Sequence, residues 1–340
     1  MSNATTSQPL PVGVIGCGRM GQLHARVYTQ MPSVKLIGVF DLNRAAAEQT
    51  AQQHGGRAFG SIEELAGAVS AATVAVPTQA HLAVARTLLS RGIACLIEKP
   101  LAKSVEEARW IADLAARSGA TVQVGHIERF NPAVRAIERL GIRPGYMDVA
   151  RVSPLTFRSI DVGVVLDMMI HDIDIVLKLA ASPVRDVRAS GVSVLGDVED
   201  IANARVEFAS GCVANLTASR LAMRTERRLR CFSRDAYVAI DYQKRHGIVV
   251  HRGPNLGTIR DTVARIRSGQ ISDLSQVNYK DLVKIEELPI EEVEPLRAQL
   301  DAFVHAVTTR TPPPVTVGDG LAAVELAQRI VDLVGPGMRL

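Results

Sequence analysis

Pro11-Val12-Gly13-Val14-Ile15-Gly16-Cys17-Gly18-Arg19-Met20-Gly21 decides the fold of this chain. A short apolar β-run enters a GxGxxG turn, and a helical stretch follows with Leu23, Val27 and Met31 on one face. The chain returns as the apolar run Val34–Phe40 and ends on Asp41, 20 residues after Gly21. Strand, glycine turn, helix, strand, acid is the order of a dinucleotide-binding βαβ unit. Gly16 allows the tight turn, Gly18 lets the backbone approach a pyrophosphate, and Gly21 lets helix and strand pack closely. The free N–H groups at the helix start then face the phosphates. Asp41 would accept hydrogen bonds from the ribose hydroxyls of NAD and repel a 2′-phosphate, whereas Arg44 could stack on adenine or accommodate NADP. NAD is the expected cofactor, with Gly16, Cys17, Gly18, Arg19, Met20, Asp41 and Arg44 as its contacts. The bland alternatives are a βαβ turn with no ligand and, for Arg44, a solvated helix residue.

Outward from this unit the alternation continues. Helices are expected over 44–54, from the capping box at Ser61, over 81–90 and from the capping box at Ser104; strands are expected over 73–76, 93–97 and 121–124. Such alternation gives a doubly wound parallel sheet whose ligands lie at the carboxyl ends of its strands. Pro77-Thr78, Glu98-Lys99-Pro100 and Gly125-His126 stand at such ends. After a short helix over 132–140 and a strand over 146–153, the period changes to two. Strands over 184–194, 202–208, 212–219, 227–232 and 237–240 point to an open antiparallel sheet with one face on helices. Residues 251–289 show little periodicity, and amphipathic helices close the chain over 294–309 and 320–334.

Between the two regimes lies Val165-Leu166-Asp167-Met168-Met169-Ile170-His171-Asp172-Ile173-Asp174-Ile175-Val176-Leu177. As one helix it is apolar nearly all round, which marks a core helix. Asp167, His171 and Asp174 fall on one narrow stripe, with Lys178 at its end. Ionisable groups in a core are costly unless paired or used, and an acid four residues before a His can touch it across one turn. The stripe reads as an acid–base or metal site. Three ligands on one helix would be awkward for one ion, and no His/Cys cluster elsewhere supports a metal.

Composition bounds the function. At 340 residues, 47% hydrophobic and 22% charged, the chain is an ordinary globular protein long enough for two domains. A net charge of +4 does not call for nucleic acid. Four scattered cysteines are expected to be reduced thiols. The polar start, residues 1–9, is expected to be a disordered tail, and no apolar run suggests a signal peptide or membrane span, so a cytoplasmic protein is expected. The basic cluster Arg220, Arg224, Arg227, Arg228, Arg230 and Arg234 could hold a diphosphate or simply blunt a strand edge; Arg220, at the end of a predicted strand, is the candidate substrate contact.

Gly16 to Ala25, Pro77 to His81, Glu98-Lys99-Pro100-Leu101-Ala102 and the D-x-x-x-H of Asp167 and His171 together resemble the Gfo/Idh/MocA oxidoreductases, which act mainly on sugars and cyclitols. The resemblance implies a Rossmann NAD-binding domain over 1–126 and an α/β domain with an open, mostly antiparallel sheet over 127–340, its last helix packing back on the first. It implies a catalytic Lys99 with Asp167 and His171, and cofactor contacts extending to Pro77, Thr78, His81, Glu98 and Lys99. His126, Arg129 and Asn131, with Lys99, His171 and Arg220, are the candidate substrate contacts; for Asn131 the bland reading is helix capping before Pro132. Val124 to Val134 and Asp161 to Asp167 look like the subgroup that contains UDP-N-acetylglucosamine 3-dehydrogenases, whose ketone product a partner aminotransferase aminates. The expectation is therefore an NAD-dependent dehydrogenase of a sugar or nucleotide-sugar, a homo-oligomer (dimer or tetramer) with no nucleic-acid, membrane or metal partner. A dehydrogenase of free sugars or inositols, or a non-catalytic NAD-binding sensor, are the alternatives.

Overall fold

The computed structural model describes residues 8–156, 161–278, 282–335 and 338–339. Most of the expected N-terminal tail lies outside them. The chain divides into two compact units. One comprises the residues to Phe130 together with Val293–Gln328, and the other Asn131–Glu292 together with the residues from Arg329.

In the first unit, β1 (Leu10–Ile15), α1 (Arg19–Thr29), β2 (Val34–Phe40), α2 (Arg44–His54), β3 (Arg57–Ala58), α3 (Ile62–Ala66), β4 (Ala71–Val74), α4 (His81–Leu89), β5 (Ala94–Glu98), α5 (Val105–Ser118) and β6 (Val122–Gly125) alternate. Among the described residues the strands form a parallel six-stranded sheet in the order β3-β2-β1-β4-β5-β6. β1 is flanked by β2 and β4, so the glycine turn leaves the sheet where the strand order reverses, the crevice in which such sheets bind ligands. Ser61 and Ser104 cap their helices, accepting from the N–H groups of Glu64 and Glu107, and the Glu64 carboxylate accepts from the Gly60 N–H. Gly119 takes the left-handed conformation that stops α5. β4 pairs over 71–74 rather than 73–76, because the chain leaves the sheet towards Pro77 before its apolar run ends.

The second unit continues with α6 (Pro132–Arg139), β7 (Pro144–Val152), α7 (Ile170–Ala180), β8 (Val184–Ser193), β9 (Ile201–Phe208), β10 (Val213–Ser219), β11 (Glu226–Ser233), β12 (Ala236–Asp241), β13 (His246–His251), α8 (Arg252–Arg267) and β14 (Glu286–Glu287). The C-terminal segment adds α9 (Pro295–Thr309), α10 (Val317–Val334) and β15 (Met338–Arg339). Among the described residues the sheet has nine strands, β14-β13-β12-β11-β7-β10-β9-β8-β15, antiparallel except at β7–β10 and β8–β15. α8 occupies part of the segment in which the sequence shows no period. Leu256, Ile259, Val263 and Ile266 recur at helical spacing along it, but Gly253, Pro254 and Gly257 interrupt its first turns and blur the period.

α7 packs on β7 and β10. Met147, Val149 and Arg151 alternate onto the buried face of β7. Arg151 is 3% exposed and Asp172 of α7 is 2% exposed. Arg151 Nε and Nη2 donate to Asp172 Oδ2 and Oδ1 at 2.8 and 2.9 Å, a bidentate pair inside the core. In the first unit α9 buries Leu296, Leu300, Phe303 and Val304 in one core with Val27 and Tyr28 of α1. α10 opens on a reciprocal cap: the Asp319 N–H donates to Thr316 Oγ1, and the Thr316 N–H to Asp319 Oδ2. Among the described residues no helix is long and apolar enough to cross a membrane.

Two stability outcomes follow. Arg151→Met takes the bidentate donor from the buried Asp172 carboxylate and lowers unfolding free energy in urea by about 3–5 kcal/mol; Arg151→Met with Asp172→Leu recovers most of it, because the buried pair is replaced by apolar side chains. Burial raises the Asp319 carboxyl, but hydrogen bonds from Thr316 and the Arg129 charge outweigh it and hold the group below its ordinary value. Its contribution is present above the unfolded carboxyl value of about 3.9 and lost as pH falls through the lower folded value. Asp319→Ala should cost about 1 kcal/mol at neutral pH, with the difference closing in acid.

Candidate functional site

The glycine turn is held from three sides. The Gly16 N–H donates to Phe40 O at 2.8 Å, and the Cys17 N–H donates to Asp41 Oδ2 at 2.6 Å. The other Asp41 oxygen accepts from the Asn43 N–H at 2.8 Å. Gly16 sits at φ 94°, and a Cβ there would strike the Ala75 carbonyl. A Cβ on Gly21 would strike the Gly16 carbonyl, whereas one on Gly18 would meet nothing within 4 Å. Gly16 and Gly21 thus serve close packing, and Gly18 faces open space. No side chain caps the start of α1 at Gly18. Exposed Gly18 and Arg19 and half-buried Met20 therefore border a helix N-terminus with N–H groups to offer, which fits a pyrophosphate. Burial pushes the Cys17 thiol up to about 11, so its part here is its backbone N–H. Arg44 is exposed; it donates to Glu48 Oε1 at 2.7 Å and to the carbonyls of Ala58 and Phe59.

At the strand ends, Thr78 opens a short turn after exposed Pro77, and Glu98 and Lys99 are half-buried. A cis peptide joins Lys99 to Pro100. Two buried histidines brace this turn. His24 Nε2 lies 3.1 Å from Glu98 Oε1, near enough for charge attraction though not aligned as a hydrogen bond. Its Nδ1 meets Thr73 Oγ1 at 3.2 Å, and Tyr28 Oη meets the same hydroxyl at 2.9 Å. A Cβ on Gly125, paired with Glu98 across β5 and β6, would approach the Glu98 carboxylate to 2.8 Å. His81, 1% exposed, sets Nε2 3.0 Å from Val76 O and Nδ1 3.0 Å from Pro100 O. Burial lowers its pKa more than these carbonyls raise it, so the ring is neutral and donates on one side only.

In the second unit the stretch expected to form a single α-helix starts as a wider π turn, Val165–Met169, before α7. Such turns recur at functional sites. Asp167 and His171 are half-buried, whereas Asp172 and Asp174 are buried. Asp172, which the polar stripe passes over, is the acid that Arg151 pairs. The signal for it was legible: an Arg at an inward position of an alternating strand needs a buried acid.

The remaining candidates take these places. His126 is fully buried at the end of β6. Arg129, 6% exposed, lies 3.4 Å from Asp319 in the first unit. Asn131 caps α6, accepting from the Ala133 N–H at 3.0 Å. Arg220, 5% exposed, lies 3.4 Å from Asp200 and donates to the Val162 carbonyl. Among the described residues no three His, Cys, Asp or Glu side chains group as a metal site would need.

The NAD-binding Rossmann domain of the Gfo/Idh/MocA oxidoreductases matches residues 10–126, and the C-terminal domain of that family matches residues 149–237. UDP-N-acetylglucosamine 3-dehydrogenase of Acidithiobacillus ferrooxidans is 37% identical over 254 residues, 73% of this chain and 80% of its own. A solved structure of that organism's enzyme, GnnA, superposes with a TM-score of 0.85 at 30% identity, covering 96% of this chain and 98% of its own. scyllo-Inositol 2-dehydrogenase (NAD(+)) of Bacillus subtilis is 30% identical over 228 residues, 61% of this chain and 66% of its own.

Asp41→Ala removes the acceptor of the Cys17 and Asn43 N–H groups. It should raise KM for NAD by about tenfold or more, since a hydrogen bond to a charged group contributes about 1.5–3 kcal/mol. Arg44→Ala should leave that constant within about twofold, as expected of an exposed ion pair. Steady-state kinetics with varied NAD checks both.

Proposed function

Because the chain belongs to the Gfo/Idh/MocA oxidoreductase family, we propose that it oxidises the 3-hydroxyl of UDP-N-acetylglucosamine to a ketone. The chain is an NAD-type dehydrogenase of the sugar and inositol class, acting on CH–OH groups. The observation that carries the finer reading is the 37% identity to the Acidithiobacillus enzyme. The segments from Val124 to Val134 and from Asp161 to Asp167 support it.

NAD, when bound, supplies the acceptor for the hydride that leaves the carbon. The chain supplies the rest. The open N–H groups at the start of α1 hold the pyrophosphate, and Asp41 receives the ribose hydroxyls. His171 takes the hydroxyl proton, a task suited to an imidazole whose ordinary pKa is about 6.5. Asp167, one turn earlier, orients the ring and stabilises the imidazolium. Lys99 donates a hydrogen bond to the same oxygen and so stabilises developing alkoxide. His126, Arg129, Asn131 and Arg220 border the sugar or hold the segments that do. The ketone product is a carbonyl of the kind an aminotransferase consumes. A dimer or tetramer would use the polar outer face of the nine-stranded sheet, around Arg188, Arg205 and Asn215.

The experiment is NADH formation over a panel of UDP-sugars, free sugars and inositols, with EDTA present. UDP-N-acetylglucosamine should be the best substrate, and Lys99→Ala should abolish turnover while leaving NAD affinity nearly intact. Turnover of inositols alone would transfer the chain to the inositol enzymes. NAD binding with no turnover of any member would make it a sensor.

A further inference from the structure

The segment that leads into the acid–base helix is gripped by residues far along the chain. The Val164 N–H donates to the Glu199 main-chain oxygen at 3.0 Å, and the Val165 N–H donates to the Glu199 carboxylate at 3.0 Å. Glu199 is 7% exposed. A carboxylate taken out of water needs donors, and the first N–H groups of a helical turn supply both donors and favourable partial charge. The same carboxylate fills the space in which a Cβ of Gly163 would lie, so a side chain there would push the carboxylate aside. The Gly163 carbonyl accepts from the Asp167 N–H at 3.0 Å, which ties the turn bearing Asp167 to the gripped residue. The next residue completes the hold. Asp200, 1% exposed, accepts from the N–H groups of Val194 and Leu195 and lies beside Arg220, which donates to the Val162 carbonyl.

We propose that Glu199 is a positioning residue for the reaction. By holding Val164 and Val165 and occupying the Gly163 side-chain space, it fixes where the π turn starts and therefore where Asp167 stands relative to His171. Arg220 and Asp200 belong to the same clamp, so Arg220 serves the site by holding Val162. The proposal rests on the reading that Asp167 and His171 carry the proton chemistry. It needs no contact between Glu199 and substrate or cofactor. A misplacement of a reacting group by about 1 Å can cost roughly a hundredfold in rate, so a small slip at Val165 is enough.

The test compares Glu199→Ala, Glu199→Gln and His171→Asn in the full chain, with NADH formation from the best sugar of the panel. Thermal unfolding confirms that each variant is folded. Glu199→Ala should lower kcat by about ten- to a hundredfold while KM for NAD stays within about twofold, because uniform binding is untouched. Glu199→Gln keeps an oxygen that accepts from Val165 and should retain kcat within about threefold. Should Glu199→Ala not fold, Gly163→Ala takes its place: its methyl displaces a carboxylate that is still present, and the same fall in kcat is expected. Folded Glu199→Ala or Gly163→Ala with wild-type kcat overturns the proposal. If His171→Asn is inactive in that experiment, the proton reading survives and only the role of Glu199 falls. If His171→Asn turns over like wild type, the proton reading fails and takes the proposal with it.

Discussion

The two parallel hydrogen bonds between Arg151 and Asp172 lock α7 onto β7, and the acid–base helix depends on them. A helix apolar nearly all round cannot carry several charges unless each has a partner or a use. Arg151 neutralises Asp172 inside the core. Glu199 and Arg220 hold the backbone ahead of it. Asp167 and His171, only half-buried, are left facing the less enclosed side of the same helix. Burial thus separates the acids of this short stretch: Asp172 and Asp174 lie in the core, and Asp167 is only half-buried.

The first unit obeys the same rule with histidines. Glu98 stands next to Lys99 and would be a poorly solvated acid at a strand end. His24 approaches it from beneath, and Gly125 leaves it room. His81 sets its ring between the main-chain carbonyls of Val76 and Pro100, just beyond β4 and β5, and donates to one of them. The glycine turn and the Glu-Lys-Pro turn are therefore both set by contacts reaching across the sheet, and neither relies on a single flexible side chain.

Much of the fold was legible because its signals are local. The glycine turn, the acid closing β2, the two capping boxes and the change of period from helix to strand each depend on neighbouring residues, and the elements formed within a few positions of where they were read. The resemblance to the Gfo/Idh/MocA family was legible in the same short motifs. α8 was not, because Gly253, Pro254 and Gly257 in its first turns read as a break in the helical period. The π turn before α7 was not, because one extra residue in a turn leaves no mark in a run that is apolar nearly all round. The clamp was not, because it pairs Glu199 with Gly163 and Val165, and spacing carries no signal for contacts that distant. Arg220 and Arg129 were visible as candidates, yet their buried acidic neighbours, Asp200 and Asp319, could not be assigned to them from sequence.

The most direct test of the account is the pH dependence of NADH formation from UDP-N-acetylglucosamine by wild type and His171→Asn. The account predicts that the wild-type rate rises with pH as the general base loses its proton, and that the variant is slow with no such ionisation. A variant that keeps both the wild-type rate and the wild-type ionisation would contradict it.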